Sequence, residues 1–333
     1  MKLFKISNGK LQATTTEIPE IKPNEVLVKI KAISLNYRDI LVTEGSGKWK
    51  PTENRIPGSD AAGKIIKVGN KVTNFKEGDN VTSLILPNWE TGKLNTDKLK
   101  DSLGGSDRDG IMAEYVVFPE NALHKFPNYL SFEEAATLPV AALTAWNAVV
   151  EQSNLKLGDT ILLIGTGGVS LFALQFAKLA GYRVIITSSS DEKLQKATAL
   201  GAHHTINYKT TENWIKEVLK LTNNKGVDQV IDVVGGSHIS QSLQCVKSEG
   251  TVSMVGVIDG TSGVIDTGTI MMKAARIQGI ETGSTEMYNN MLRAFQLHEI
   301  HPVIDKTFAF DDTLEAFAYL KKAQHMGKIS IVL

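Results

Sequence analysis

Apolar and polar residues alternate along Glu25–Ile33 (EVLVKIKAI) and again along Ala62–Val68, just before Gly69-Asn70, so the first 125 residues or so predict strands joined by turns. Between Pro87 and Arg108 the pattern is lost. This segment is polar, irregular and too long for an ordinary connection, which predicts a flexible lobe or a lid anchored only by Trp89 and scattered leucines. At Ser131 the period changes: SFEE offers Ser131 as a helix N-cap with Glu134 as its capping-box partner, and Ala141–Val150 then reads as a buried helix. From Ile161 onward short apolar runs alternate with helical stretches, giving strands at 161–164, 184–187 and 205–207 and helices at 169–180, 192–200 and 212–221. Further strands are expected at 229–234 and 251–257, and Cys245 falls in a helix between them. Runs that are apolar throughout fit parallel strands covered on both faces, hence an α/β fold with a doubly wound sheet. After Ile277–Ile280, an amphipathic helix at 287–297, β structure near Phe308 and a last strand at 328–332 complete the reading.

A chain of 333 residues exceeds what one core usually organises, which predicts two domains. With 42% hydrophobic and 22% charged residues it has the material for buried cores and no disorder signature. Lys plus Arg (36) cancels Asp plus Glu (36), so no global field favours nucleic acid or an anionic membrane, and a small-molecule partner is expected. The single cysteine, Cys245, excludes an intrachain disulfide and a four-cysteine zinc site, which suits a reducing cytosol. No apolar leader stands at MKLFKISNGK and nowhere do 18 apolar residues run together, so the expected protein is soluble and cytoplasmic.

The chemistry concentrates at 161–170, ILLIGTGGVS, where Gly165, Thr166, Gly167, Gly168 and Val169 form a turn after a strand and before a helix. In that context Gly165 allows a tight turn, Gly167 lets backbone approach a pyrophosphate, and the helix N-terminus offers unpaired N–H groups. The usual third glycine is replaced by Ser170, which predicts slightly looser helix-to-strand packing. The end of the next strand decides the ribose. NAD binders carry an acid there, whereas this chain has Thr187-Ser188-Ser189-Ser190 with Lys193 nearby. Hydroxyls and a lysine accept a 2′-phosphate that a carboxylate would repel, so NADPH is favoured over NADH; Asp191 is expected to cap the following helix.

With that turn in place, the chain resembles the medium-chain dehydrogenase/reductase superfamily, specifically its zinc-free quinone oxidoreductase branch, over essentially its whole length. The residues are SLNYRD (34–39), PGSDAAGKIIKVG (57–69), FKEGDNV (75–81), DGIMAEYVV (109–117), AATLPVAALTAW (135–146), GTGGVS (165–170), NY (207–208), DVVGG (232–236) and AQHMGKISI (323–331). The resemblance implies a β-rich, GroES-like catalytic domain made of residues 1–125 and 275–333, and a Rossmann domain at 126–274. It also implies that Asn36 lies near the nicotinamide, with Asp39 following, and that Lys193 and Tyr208 hold the 2′-phosphate and adenosine. Thr144, Val234, Val257 and Ile258 would line the cofactor, and two chains would form a homodimer through Rossmann edge strands. Zinc-carrying relatives place a cysteine near position 36, a His-Glu pair where this chain has Ser59-Asp60, and four cysteines in the 87–108 lobe. Residues 30–65 contain neither Cys nor His, so no zinc is expected.

Within this frame Tyr37 is either a proton donor or a wall of the cleft, and Asp39 either a catalytic group or a hydrogen-bond acceptor beside Arg38. His203-His204 and His298/His301 lack a further ligand and read as packing or surface residues, and Cys245 as a small buried one. Without a Lewis acid an isolated carbonyl is hard to reduce, while a quinone or enone leaves its charge on an oxygen that neutral donors can hold. The resemblance therefore implies an NADPH-dependent quinone or enone reductase. The alternatives are a zinc-free carbonyl reductase or alcohol dehydrogenase, and a catalytically idle nucleotide-binding protein.

Overall fold

The protein is described from a computed structural model covering residues 1–46, 49–51, 54–105 and 108–333; Ser106 and Asp107, in the irregular 87–108 segment, lie outside the described residues. The chain divides into two compact units, Met1–Leu143 with Thr282–Leu333, and Thr144–Glu281. These borders fall later than the expected ones at 125/126 and 274/275. The short helix of the SFEE motif packs on strands of the first unit, and a strand beginning at Arg276 completes the sheet of the second.

In the first unit β1 (Lys2–Ser7) and β2 (Lys10–Thr15) form an antiparallel ribbon. β3 (Glu25–Ser34) pairs with β4 (Asp60–Val68) on one side and, on the other, with β6 (Tyr115–Pro119) along Glu25–Lys29. β5 (Asn80–Ser83) and β7 (Leu123–Lys125) extend the sheet beyond β4. Strict alternation would leave one face of β3 wet, yet Leu27 and Val28 are both buried. A register shift against β4 between these two residues places neighbours on both faces. After β3 comes α1 (Tyr37–Thr43), and after β7 comes α2 (Phe132–Ala136), where Ser131 and Glu134 close the reciprocal capping box the sequence predicts. The 87–108 segment is fastened by Trp89 and Leu103, which are 3% and 1% exposed, while Leu94 and Leu99 face solvent.

A helical run follows, widened into π turns over Leu138–Ala142 and Asn147–Glu151 around α3 (Leu143–Trp146). The second unit is a six-stranded parallel sheet: β8 (Thr160–Leu163), β9 (Arg183–Ser188), β10 (His204–Asn207), β11 (Val227–Asp232), β12 (Val246–Met254) and β13 (Arg276–Gly279). Its spatial order is β10-β9-β8-β11-β12-β13, the doubly wound Rossmann arrangement whose strand order reverses beside β8. The connecting helices are α4 (Gly168–Leu179), α5 (Asp191–Leu200), α6 (Trp214–Leu221), α7 (His238–Cys245) and α8 (Thr267–Lys273). The apolar runs are buried as expected: every residue of β8, and Val184, Ile185 and Ile186 of β9. Back in the first unit, α9 (Thr285–His298) ends in left-handed Glu299, before the expected stop at Pro302. The chain closes with β14 (Ile304–Ala309), α10 (Thr313–Lys321), which the sequence pattern missed, and β15 (Lys328–Val332), which pairs antiparallel with β3. Among the described residues no helix is long and apolar enough to cross a membrane.

Candidate functional site

In the Rossmann unit the glycine turn stands at the carboxyl end of β8, beside the switch in strand order. Gly165 adopts φ +75°, which a side chain would strain, and a Cβ at Gly165 or Gly167 would meet no atom within 4 Å. The turn therefore faces open space on the side a ligand would approach. Gly167 caps α4 without a side chain, leaving the N-terminal amides of a 12-residue helix available to an anion. Thr166 and Ser188 join hydroxyls at 3.0 Å, and Gly165 N donates to Thr187 Oγ1 at 3.1 Å, tying the turn to the end of β9. Ser170 does not loosen the packing; fully buried, it donates its hydroxyl to Ile164 O at 2.8 Å, a contact no glycine could make.

At the end of β9 the roles shift by one residue. Ser190, and not Asp191, is the N-cap of α5, accepting from Lys193 N. Asp191 opens the helix with its carboxylate held by Asn207 Nδ2 at 2.7 Å. Ser188 is buried and committed to Thr166, so Ser189 is the hydroxyl of the pair left at the surface. Tyr208, 44% exposed, lies beside them through its backbone N–H to Ser188 O at 3.1 Å. Thr144 is buried at the start of this unit, and Val257 and Ile258 follow β12.

The loop after β11 rests on a residue the sequence reading passed over. Asp232 Oδ1 accepts from Val234 N and Gly235 N at 2.8 and 2.9 Å, and its Oδ2 accepts from Ser242 Oγ at 2.6 Å and meets His238 Nδ1 at 2.8 Å. Burial pushes this carboxyl up, but His238 and the other donors outweigh it and hold it below its ordinary value. Val234 is thus fixed by a rigid, fully engaged carboxylate.

In the other unit Asn36, Tyr37 and Asp39 sit at the start of α1. Asp39 is 1% exposed and its Oδ2 accepts from Asn36 N at 2.8 Å, closing the helix N-terminus. That contact is an acceptor role for Oδ2 toward the helix backbone. Tyr37 is 37% exposed. Asn36 is gripped from both sides: its Nδ2 donates to Asp60 Oδ2 at 2.8 Å and its Oδ1 accepts from Lys328 Nζ at 2.6 Å. Lys328 also donates to Leu35 O at 2.6 Å and lies 4.0 Å from Asp60. Burial pushes the Asp60 carboxyl up to about 7 against the pull of Lys328, while burial lowers the Lys328 amine against the pull of Asp60 and Asp39. β3, β4 and β15 are adjacent strands, and their register sets Ser34 opposite both Asp60 and Ser330, which delivers the three side chains together.

Zinc does not fit this donor set. The positions matching cysteine and His-Glu hold Asn36, Ser59 and Asp60, and an amine already fills the place beside them. Among the described residues no group of three or more His, Cys, Asp or Glu could hold a metal ion.

Residues 22–128 match the family model for the alcohol dehydrogenase GroES-like domain, and residues 168–296 the one for zinc-binding dehydrogenases. A zinc-type alcohol dehydrogenase-like protein of Schizosaccharomyces pombe is 44% identical over 327 residues, 96% of this chain and 94% of that one. The quinone oxidoreductase of Homo sapiens is 28% identical over 308 residues, 90% and 86% of the two chains. A solved NAD-dependent alcohol dehydrogenase superposes with a TM-score of 0.90 at 32% identity, with all of both chains covered. The two-unit architecture, the glycine turn and these relatives together place the chain in the medium-chain dehydrogenase/reductase superfamily, as an oxidoreductase of the alcohol dehydrogenase and quinone oxidoreductase type.

Proposed function

We propose that the protein reduces quinones or α,β-unsaturated carbonyls with NADPH and without a metal ion. The carrying observation is the end of β9: where an NAD enzyme needs a carboxylate, this chain has a buried serine hydroxyl bonded to Thr166, followed by Ser189 and, in the first turn of α5, Lys193. Bound NADPH supplies the hydride. Gly165, Gly167 and the amides opening α4 hold its pyrophosphate, with Thr166, Gly168 and Val169 completing the turn. Lys193, Ser189 and Tyr208 take the 2′-phosphate and adenosine, and Thr144, Val234, Val257 and Ile258 line the rest. On the substrate side the Asn36 amide steadies the charge that gathers on the acceptor oxygen, and Tyr37 is the candidate proton donor. A homodimer is the expected assembly.

A second reading, an NAD-linked alcohol dehydrogenase or carbonyl reductase, draws on Asp191, an acid that Asn207 holds three residues beyond Ser188, and on the solved NAD-dependent relative. The deciding measurement is kcat/KM with NADPH and NADH on a quinone and an enal, beside simple alcohols with both oxidised cofactors. Wild type should prefer NADPH. Lys193→Ala should raise KM for NADPH about tenfold to a hundredfold, the worth of one charge-assisted hydrogen bond, and leave NADH nearly unchanged. Ser189→Asp should move the preference toward NADH. A wild-type preference for NADH, or equal losses with both cofactors, rejects the NADPH reading, and binding without turnover on any substrate leaves an idle nucleotide-binding protein.

A further inference from the structure

We infer that Lys328 is a positioning residue for the proposed reaction, fixing the Asn36 amide in the one orientation that presents an N–H to the acceptor oxygen. The inference rests on the quinone or enone reductase reading and adds a residue from the far end of the chain. An amide in a buried network could sit either way round, and only its partners decide. Here the ion pair decides: Lys328 as an ammonium can only donate, so it meets Oδ1, and Asp60 Oδ2 as a carboxylate accepts, so it meets Nδ2. One Nδ2 hydrogen is consumed by Asp60, and the second finds no partner among the described residues. Asn36 is 9% exposed, so this remaining N–H sits in a largely dry setting where a donor aimed at a developing oxyanion is most effective.

The same geometry sets a positive charge beside the buried Asp60 carboxylate. Nζ stands 4.0 Å from Asp60 and bridges Leu35 O and Asn36 Oδ1, so it compensates the buried carboxylates while leaving the amide polarised. Without Lys328, Asp60 and Asp39 would lack a buried countercharge, and a protonated Asp60 could donate to Oδ1. Asn36 would then turn over, and the remaining N–H would be lost from that position.

The test is a double-mutant cycle on the full-length protein with NADPH and one quinone: wild type, Lys328→Met, Asn36→Ala and the double variant, with Lys328→Arg as the conservative change. Lys328→Met should lower kcat about a hundredfold, the scale of a misplaced reacting contact, with the Kd for NADPH within about twofold of wild type. In the Asn36→Ala background the same substitution should cost almost nothing more, because both act through one amide. Lys328→Arg should fold and recover at least tenfold of the lost kcat, as expected for a charge-assisted contact remade by another cation. Additive losses in the cycle, wild-type kcat in Lys328→Met, or a folded Arg variant no faster than the Met variant would overturn the inference. Loss of fold in both would assign Lys328 to stability alone and overturn it as well. Wild type that turns over no acceptor removes the underlying reading and this inference with it; wild type that is active beside an equally active Lys328→Met removes only the inference.

Discussion

His124, half-buried on β7, shows how one side chain sets a pH dependence. Its ring packs edge-on against Tyr288, with centroids 5.5 Å apart, at the margin of an open groove of about 710 Å³. Burial pushes its pKa down to about 4, with Asn289 pulling the other way. The unfolded chain takes up the proton near 6.5, and the folded one does so only near 4. Between those values the unfolded state binds more protons, so the contribution of His124 is intact above pH 6.5 and is lost as pH falls toward 4. The loss should reach up to about 3 kcal/mol. Urea unfolding of wild type and His124→Gln at pH 7 and pH 4.5 checks this, with the variant expected to lose less on acidification; equal losses would reject it. Asn36 teaches a related lesson at this scale. Its residue type was legible as a site candidate, but the orientation of its amide is set by Asp60 and Lys328, partners that lie 24 and 292 residues away along the chain.

Among the elements, β11, β12 and their following loops meet backbone to backbone. A Cβ on Gly256 would land on Val233 O, and Gly256 N donates to Asp232 O, so the loop after β12 lies directly on the one that Asp232 organises. Gly256→Ala should therefore cost about 3 kcal/mol, the upper part of the overpacking range, and, on the proposed cofactor site, also weaken nucleotide binding through the displaced Val234. Urea midpoints and cofactor titration read the two effects separately, and a variant with both near wild type would contradict the packing argument. The pattern of apolar runs located most strands and helices, because burial on both faces leaves a strand little choice of residue. It missed α10 because TLEAFAYLK mixes apolar and charged positions over a span too short to show a clear period. It misjudged Ser170 because a hydroxyl that donates to a carbonyl six residues back, just past β8, reads, in a motif, simply as an absent glycine.

Over the whole molecule, β13 is an edge strand of the parallel sheet, and nearby Val264, Met271 and Met272 are 84%, 77% and 76% exposed. An unpaired edge beside large exposed apolar side chains is a surface that a second copy can cover. Wild type should sediment as a dimer at micromolar concentration, and Met271→Lys combined with Met272→Lys should shift it toward monomer. A wild-type monomer under those conditions would count against the assembly.

Local spacing along the chain was enough to determine the class of the fold, the Rossmann succession, the capping box at Ser131 and the glycine turn, because each depends on neighbours within a few residues. Residue types also showed that residues 30–65 carry neither cysteine nor histidine. What only the tertiary structure decided are the contacts between segments far apart in sequence, carried on or just past neighbouring strands: Lys328 beside Asn36 and Asp60, the commitment of Ser188 to Thr166, and Asn207 on Asp191. The physical reason is the same in each case. A hydrogen bond between adjacent strands depends on their order and register, and neither is written in the spacing of either strand alone.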